Sequence, residues 1–231
     1  NKTVGGVKMS DKIKVTINKQ IVEVNPGTTV LKAAESIGIK IPTLCHMDLC
    51  DFEFVNKAAS CRVCVVEIEG RRNLAPSCVQ KVEEGMVIKT NTPRAIRGRR
   101  TSVELLLSNH PQDCFTCPKN LECELQQLAD DLNIREIPYI GEKVNYAKDT
   151  SSFSIVKDPN KCIMCRRCET MCNEVQTCGI LSGVGRGFDV IVAPAFELPL
   201  QDTSCTFCGQ CVAVCPTAAL TESNRTREVW R

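Results

Sequence analysis

Eight cysteines fall into two runs with one spacing. Lys161-Cys-Ile-Met-Cys-Arg-Arg-Cys-Glu-Thr-Met-Cys172 places thiols at Cys162, Cys165, Cys168 and Cys172, and Cys205-Thr-Phe-Cys-Gly-Gln-Cys-Val-Ala-Val-Cys215 places them at Cys205, Cys208, Cys211 and Cys215. Each run is C-x2-C-x2-C-x3-C, a spacing by which thiolates hold paired iron–sulfur cubes, the fourth cysteine of each run reaching the other cube. Three thiols two residues apart wrap one cube corner by corner; the fourth starts a helix pointing away. One [4Fe–4S] cube is therefore assigned to Cys162, Cys165, Cys168 and Cys215, and another to Cys205, Cys208, Cys211 and Cys172. Crossed ligation brings the cubes close together, which helps if electrons hop between them. Zinc prefers four tetrahedral ligands, usually as two separated pairs, and four cysteines within eleven residues, twice over, fit that poorly. A disulfide framework needs an oxidising compartment.

A third group is His110-Pro-Gln-Asp-Cys114-Phe-Thr-Cys117, followed by Cys123. A lone histidine is usually structural, but this one stands four residues before a cysteine trio. The reading is a [4Fe–4S] cluster held by His110, Cys114, Cys117 and Cys123. A zinc site of three cysteines and one histidine is allowed by spacing alone; the neighbouring cluster motifs decide against it. A fourth group comprises Cys45, Cys61, Cys64 and Cys78, with 15, 2 and 13 residues between successive cysteines. The plant-type [2Fe–2S] pattern C-x4-C-x2-C is not met as it stands, and Cys50 could take the place of Cys45.

The elements around these residues can be read in order. Ile13, Val15 and Ile17 alternate with polar residues, Asn18-Lys19 can turn, and Ile21 to Val24 returns, which predicts a hairpin over residues 12–24. Val30, Ala33, Ala34 and Ile37 form a helical stripe, with Thr28 or Thr29 as N-cap and Gly38 as its stop. A second hairpin starts at Val65. Hairpin, helix, cysteine loop and hairpin are the order of a β-grasp ferredoxin. Arg94, Arg97, Arg99 and Arg100 read as a solvated helix face, with docking to an acidic partner as the sharper alternative. Helices are expected over Thr101–Ser108 and Glu124–Leu132. Gly183, Gly185 and Gly187 invite a dinucleotide reading, but that motif must follow a strand and open a helix. Here Phe188-Asp-Val-Ile-Val reads as a strand, so the glycines are taken as a turn between strands. The fold class is α+β in three parts. These are a [2Fe–2S] ferredoxin-like domain over 10–92, a small helical [4Fe–4S] domain with one histidine and three cysteines as ligands over 93–135, and a two-cube ferredoxin-like domain over 136–231.

Seventeen cysteines without an apolar signal segment point to metal in a reducing cytoplasm. A net charge of +2 and 4% aromatic residues argue against a dedicated nucleic-acid binder. No apolar run reaches the roughly 18 residues of a membrane span. Asn1 to Lys8 precede Met9 and are set aside from fold reasoning.

The passages Asn56–Cys78, His110–Cys123, Lys161–Cys172 and Asp202–Leu220 together resemble the N-terminal iron–sulfur portion of multimeric NAD(P)-linked, often electron-bifurcating, hydrogenases. They are similar, less closely, to the large iron–sulfur subunit of respiratory complex I and to diaphorase subunits of NAD-reducing [NiFe] hydrogenases. The resemblance implies a [2Fe–2S] cluster on Cys45, Cys61, Cys64 and Cys78, since Pro-Thr-Leu-Cys45 stands where the family has its first ligand. Cys50 and Cys178 are then spectator thiols. It implies one [2Fe–2S] and three [4Fe–4S] clusters relaying electrons between a flavin/NAD(P)-binding subunit and a hydrogenase catalytic subunit, with a small [2Fe–2S] subunit and ferredoxin as further partners. The chain departs from the family where a hydrogen-converting domain would follow: it stops at Arg231, and no clustered cysteines are left for one. The expectation is an electron-transfer subunit that is not catalytic alone; the alternative is the iron–sulfur portion of an [FeFe] hydrogenase catalytic chain or of a related NAD(P)-linked oxidoreductase.

Overall fold

The computed structural model describes residues 12–49, 54–56 and 59–231. Residues 1–11 and Cys50 lie outside them. The chain divides into two compact units, 1–43 with 62–99 and 44–61 with 100–231.

The first unit is a sheet with one short helix. β1 (Ile13–Ile17) and β2 (Gln20–Val24) form the antiparallel hairpin, with Ile17 opposite Gln20. Asn18 and Lys19 both have positive φ, the conformation a two-residue hairpin turn requires. α1 (Val30–Glu35) is capped by the Thr29 hydroxyl, which accepts the Lys32 N–H, and Val30, Leu31, Ala33 and Ala34 are buried. β3 (Val65–Ile68), β4 (Ala75–Pro76) and β5 (Val87–Lys89) complete a sheet of order β2-β1-β5-β3-β4. The β1–β5 pair is parallel, with Ile17 opposite Ile88, while the other pairs are antiparallel. Buried Val15, Ile17, Val66, Ile68 and Ile88 supply its core. This is the β-grasp order expected from the sequence.

α2 (Pro93–Asn109) is one continuous helix, about two turns longer than Thr101–Ser108. The Thr92 hydroxyl accepts the Ala95 N–H at 3.1 Å, and Pro93 occupies the first turn, where its missing N–H costs nothing. The arginine-rich face is only partly solvated. Arg94, Arg97 and Arg100 are exposed, but Arg99 is buried; its guanidinium donates to the carbonyls of Val65 at 3.0 Å and Thr90 at 2.8 Å.

In the second unit α3 (Glu124–Asp131) follows the His110 motif. β6 (Ile155–Lys157) leads into α4 (Arg167–Thr170), which runs on as a π-helical turn over Met171–Val175. β7 (Ser182–Val184) and β8 (Ile191–Ala193) pair antiparallel, α5 (Gln210–Ala213) carries Cys211, and β9 (Leu220–Glu222) pairs back to β6. A short α6 (Thr226–Val229) follows. The strand expected from Phe188 begins only at Ile191, because residues 187–189 form a 3-10 turn that completes the glycine turn. The core consists of Ile155, Leu181, Val192, Leu200, Val212 and Leu220, together with Cys168 and Cys215. Among the described residues no helix is long and apolar enough to cross a membrane.

Candidate iron–sulfur centres

The two C-x2-C-x2-C turns share one backbone device. Met164 and Arg166 in the first, and Phe207 and Gly209 in the second, have positive φ. These kinks turn backbone N–H groups toward sulfur: Met164 N–H donates to Cys162 Sγ and Phe207 N–H to Cys205 Sγ, each at 3.4 Å. Such donors favour a thiolate over a thiol.

The turns open onto two cavities. Cys162, Cys165, Cys168 and Cys215 line one. Cys172, Cys205, Cys208 and Cys211 line the other. Each cavity thus takes three cysteines from one run and one from the other, and Leu181 and Leu220 border both. Cys178 also lines the second, with its Sγ 3.5 Å from the Gln176 carbonyl oxygen. Burial pushes the Cys165 thiol up to about 12, with neighbouring thiols adding to the effect, and Cys211 likewise. Burial raises Cys168 well above its ordinary value as well. Thiols in this state give up protons when iron binds. No disulfide joins the described cysteines. The donor set, all sulfur around apolar-walled cavities, fits an iron–sulfur cube.

The His110 motif sits between α2 and α3. Cys123 precedes the first residue of α3, Cys114 and Cys117 bracket a 3-10 turn, and His110 directly follows α2. His110 is buried, and its Nδ1 has no hydrogen-bond partner. Burial first, and then the Lys161 charge, pull its pKa down to about 4, so the imidazole is neutral with a lone pair to give. Among the described residues no three His, Cys, Asp or Glu side chains converge tightly enough for a single metal ion.

Sequence reasoning missed the groups that fasten this motif to the C-terminal ferredoxin part. Arg167 and Glu124 form a bidentate pair at 2.6 and 2.8 Å. The Glu124 N–H donates to the Pro216 carbonyl, one residue after Cys215. Lys161 Nζ meets Asp113 Oδ2 at 3.0 Å. Their signal is spatial, since Arg167 and Glu124 are 43 residues apart.

Of the remaining candidate ligands, Cys45 and Cys61 lie in the second unit and Cys64 and Cys78 in the first; all four are buried. Around Cys45, buried Asn56 makes a clasp. Its amide donates to the Cys45 carbonyl and accepts from the Met47 N–H, both at 2.8 Å.

Comparison with known proteins identifies the regions. Residues 10–93 match the model of a 2Fe-2S iron-sulfur cluster binding domain, 99–138 an NADH-ubiquinone oxidoreductase-G iron-sulfur binding region, and 200–221 a 4Fe-4S binding domain. The chain is 58% identical over 217 residues to NADP-reducing hydrogenase subunit HndD of Solidesulfovibrio fructosivorans, a match covering 94% of this chain and 37% of that one. It is 35% identical over 209 residues to NADPH-Fe(3+) oxidoreductase subunit alpha of Geobacter sulfurreducens, covering 90% of this chain and 24% of that one. The chain is similar to an iron–sulfur region that these subunits share. A crystal structure of NAD+-reducing [NiFe]-hydrogenase superposes on this chain with a TM-score of 0.82 at 28% identity, covering 91% of this chain and 87% of the other. Regions matching [2Fe–2S] and [4Fe–4S] cluster domains follow each other along this α+β chain. The chain spans 37% and 24% of the length of these two curated relatives.

Proposed function

We propose that this chain is an electron relay of an NAD(P)-linked hydrogenase, passing electrons between a flavin/NAD(P)-binding subunit and a hydrogenase catalytic centre. A small [2Fe–2S] subunit and ferredoxin are the further partners of this reading. Bound clusters supply one-electron storage, with potentials set within roughly −700 to +450 mV by ligand type, hydrogen bonding and exposure. Everything else falls to the residues. Cys162, Cys165, Cys168 and Cys215 hold one cube, and Cys205, Cys208, Cys211 and Cys172 a second. His110, Cys114, Cys117 and Cys123 hold a third, and Cys45, Cys61, Cys64 and Cys78 hold the [2Fe–2S] centre. The observation that carries the reading is the pair of cavities sharing Leu181 and Leu220 as walls, each lined by four cysteines drawn from both runs.

The test is anaerobic iron and sulfide analysis of the full chain. One [2Fe–2S] and three [4Fe–4S] clusters require about 14 iron atoms per chain. A value near four, with stoichiometric zinc, would overturn the assignment.

A second reading places these residues as the iron–sulfur region of a longer hydrogenase catalytic chain. The 37% coverage of the HndD relative supports it. The relay role is the same in both; mass spectrometry of the intact native complex separates them. The reducing cytoplasm expected from the cysteine content belongs to this proposal too.

A further inference from the structure

The second cavity holds more sulfur than a cube can use. Cys172, Cys205, Cys208 and Cys211 are the thiols assigned to it, and Cys178 lines the same cavity. A [4Fe–4S] cube takes four cysteine ligands. The first cavity has its four cysteines and no surplus.

A free cysteine often serves as a small buried hydrophobe. Cys178 is not placed for that. It is half-buried, and its sulfur meets polar atoms, the Gln176 carbonyl oxygen at 3.5 Å and Thr206 Oγ1 at 3.7 Å. Thr206 lies between Cys205 and Cys208, so Cys178 contacts the ligand turn of the second cavity itself.

The backbone indicates which ligand Cys178 can replace. Cys172 sits in the π-helical turn Met171–Val175. The chain then doubles back through Thr177 and Gly179, both of positive φ. The Cys178 N–H donates to the Cys172 carbonyl at 2.9 Å, and the Gly179 N–H to the same oxygen at 3.3 Å. Cys172 and Cys178 therefore close one hydrogen-bonded loop, and both face one cavity. Cys205, Cys208 and Cys211 come from a separate turn. Where the cube needs three thiolates from that turn and one from the loop, the loop offers two.

We propose that Cys178 is a reserve ligand of the second cube, able to take over the iron held by Cys172. The inference rests on the ligand assignment proposed above for that cavity. The exchange moves no electrons. The iron–sulfur bond to Cys172 breaks, and that thiolate takes a proton from solvent. The Cys178 thiol releases its proton to solvent, as thiols do on binding metal, and a new iron–sulfur bond forms. Its contact with the Gln176 carbonyl is given up in the same step. The benefit falls on the more open of the two sites, since Cys208 is exposed while Cys165, Cys168 and Cys215 of the first cavity are buried. An iron that loses its thiolate there is recaptured before the cube comes apart.

The test is anaerobic iron and sulfide analysis of the reconstituted full chain. Cys172→Ala should keep the wild-type count of about 14 iron atoms. Cys172→Ala combined with Cys178→Ala should lose iron, up to about four atoms, because neither loop thiol remains. A loss already in Cys172→Ala, or no loss in the double variant, would overturn the proposal. Cys178→Ala alone should hold its full count but release one cube's iron to an added chelator several-fold faster than wild type. Cys178→Val, which keeps an apolar side chain there but cannot ligate, should release it as fast. If Cys172→Ala fails to fold, these rates decide: faster release in both Cys178 variants supports the reserve role. A wild-type rate in Cys178→Val marks mere packing and ends the proposal, as does a wild-type rate in Cys178→Ala. The ligand assignment fails separately, if the wild-type chain itself does not reach about 14 iron atoms.

Discussion

His110 differs from the other fifteen candidate ligands in what it gives iron: a neutral nitrogen in place of a charged sulfur. Replacing thiolate by imidazole raises the potential in Rieske centres. His110→Cys should therefore keep the cluster and lower its potential, as read by redox-poised electron paramagnetic resonance with unchanged iron content. Asn56 is a second residue with a job visible in space. Asn56→Ala removes both hydrogen bonds of the clasp, the one to the buried Cys45 carbonyl and the one from the Met47 N–H. The expected cost is about 1–3 kcal/mol, measurable by denaturant titration of the cluster-free chain; a change below about 0.5 kcal/mol would show that the clasp is dispensable. The cysteine spacings and the His110 motif can be read directly, because ligation by a turn is a local property of sequence. Asn56, Lys161 and Glu124 cannot, because each acts on a partner that only folding brings near. Nothing in the string of letters pairs Lys161 with Asp113, 48 residues before it.

At the scale of elements, sequence and structure agree where a period or a turn is local and part at boundaries. The β1–β2 hairpin announces itself through alternation and Asn18-Lys19. The start of α2 is also written in the sequence, as Thr92-Pro93, but a cluster of arginines masks the continuity of the helix. The late start of β8 follows from Gly185, at φ +86°, where an added Cβ would lie 2.8 Å from the Asp189 carbonyl oxygen. The chain must finish that turn before it can pair. Gly185→Ala should accordingly cost about 1–3 kcal/mol, combining left-handed backbone strain with the close approach. Thermal denaturation gives the number, and an unchanged midpoint would mean that the hairpin relaxes freely. Gly209 occupies the same kink of the second cysteine turn that Arg166 occupies in the first. The repeat therefore lies in the backbone path as well as in the cysteines.

For the whole molecule, the relay reading makes a prediction about separable activities. Cys208→Ala removes one thiolate from the second cavity, and an incompletely ligated cube leaves an iron open. In the assembled complex NAD(P)-linked hydrogen turnover should be lost, while oxidation of NADH by an artificial dye at the flavin subunit survives. The 231-residue chain alone should accept electrons from dithionite and neither evolve hydrogen nor oxidise NADH. Intact coupled turnover in Cys208→Ala, or hydrogen evolution by the chain alone, would end the relay reading.

The exchange of one cysteine between the two cavities also constrains how the molecule is made. During synthesis Cys162, Cys165 and Cys168 leave the ribosome as a set of three, and the thiol that completes their cavity, Cys215, follows only after 46 further residues. The second cavity is no quicker, because Cys172 waits for Cys205, Cys208 and Cys211. Neither cavity can close on a nascent chain that stops short of Cys211. Completion of either cavity is thereby tied to synthesis of both runs, and a chain broken between the runs would forfeit both sites together.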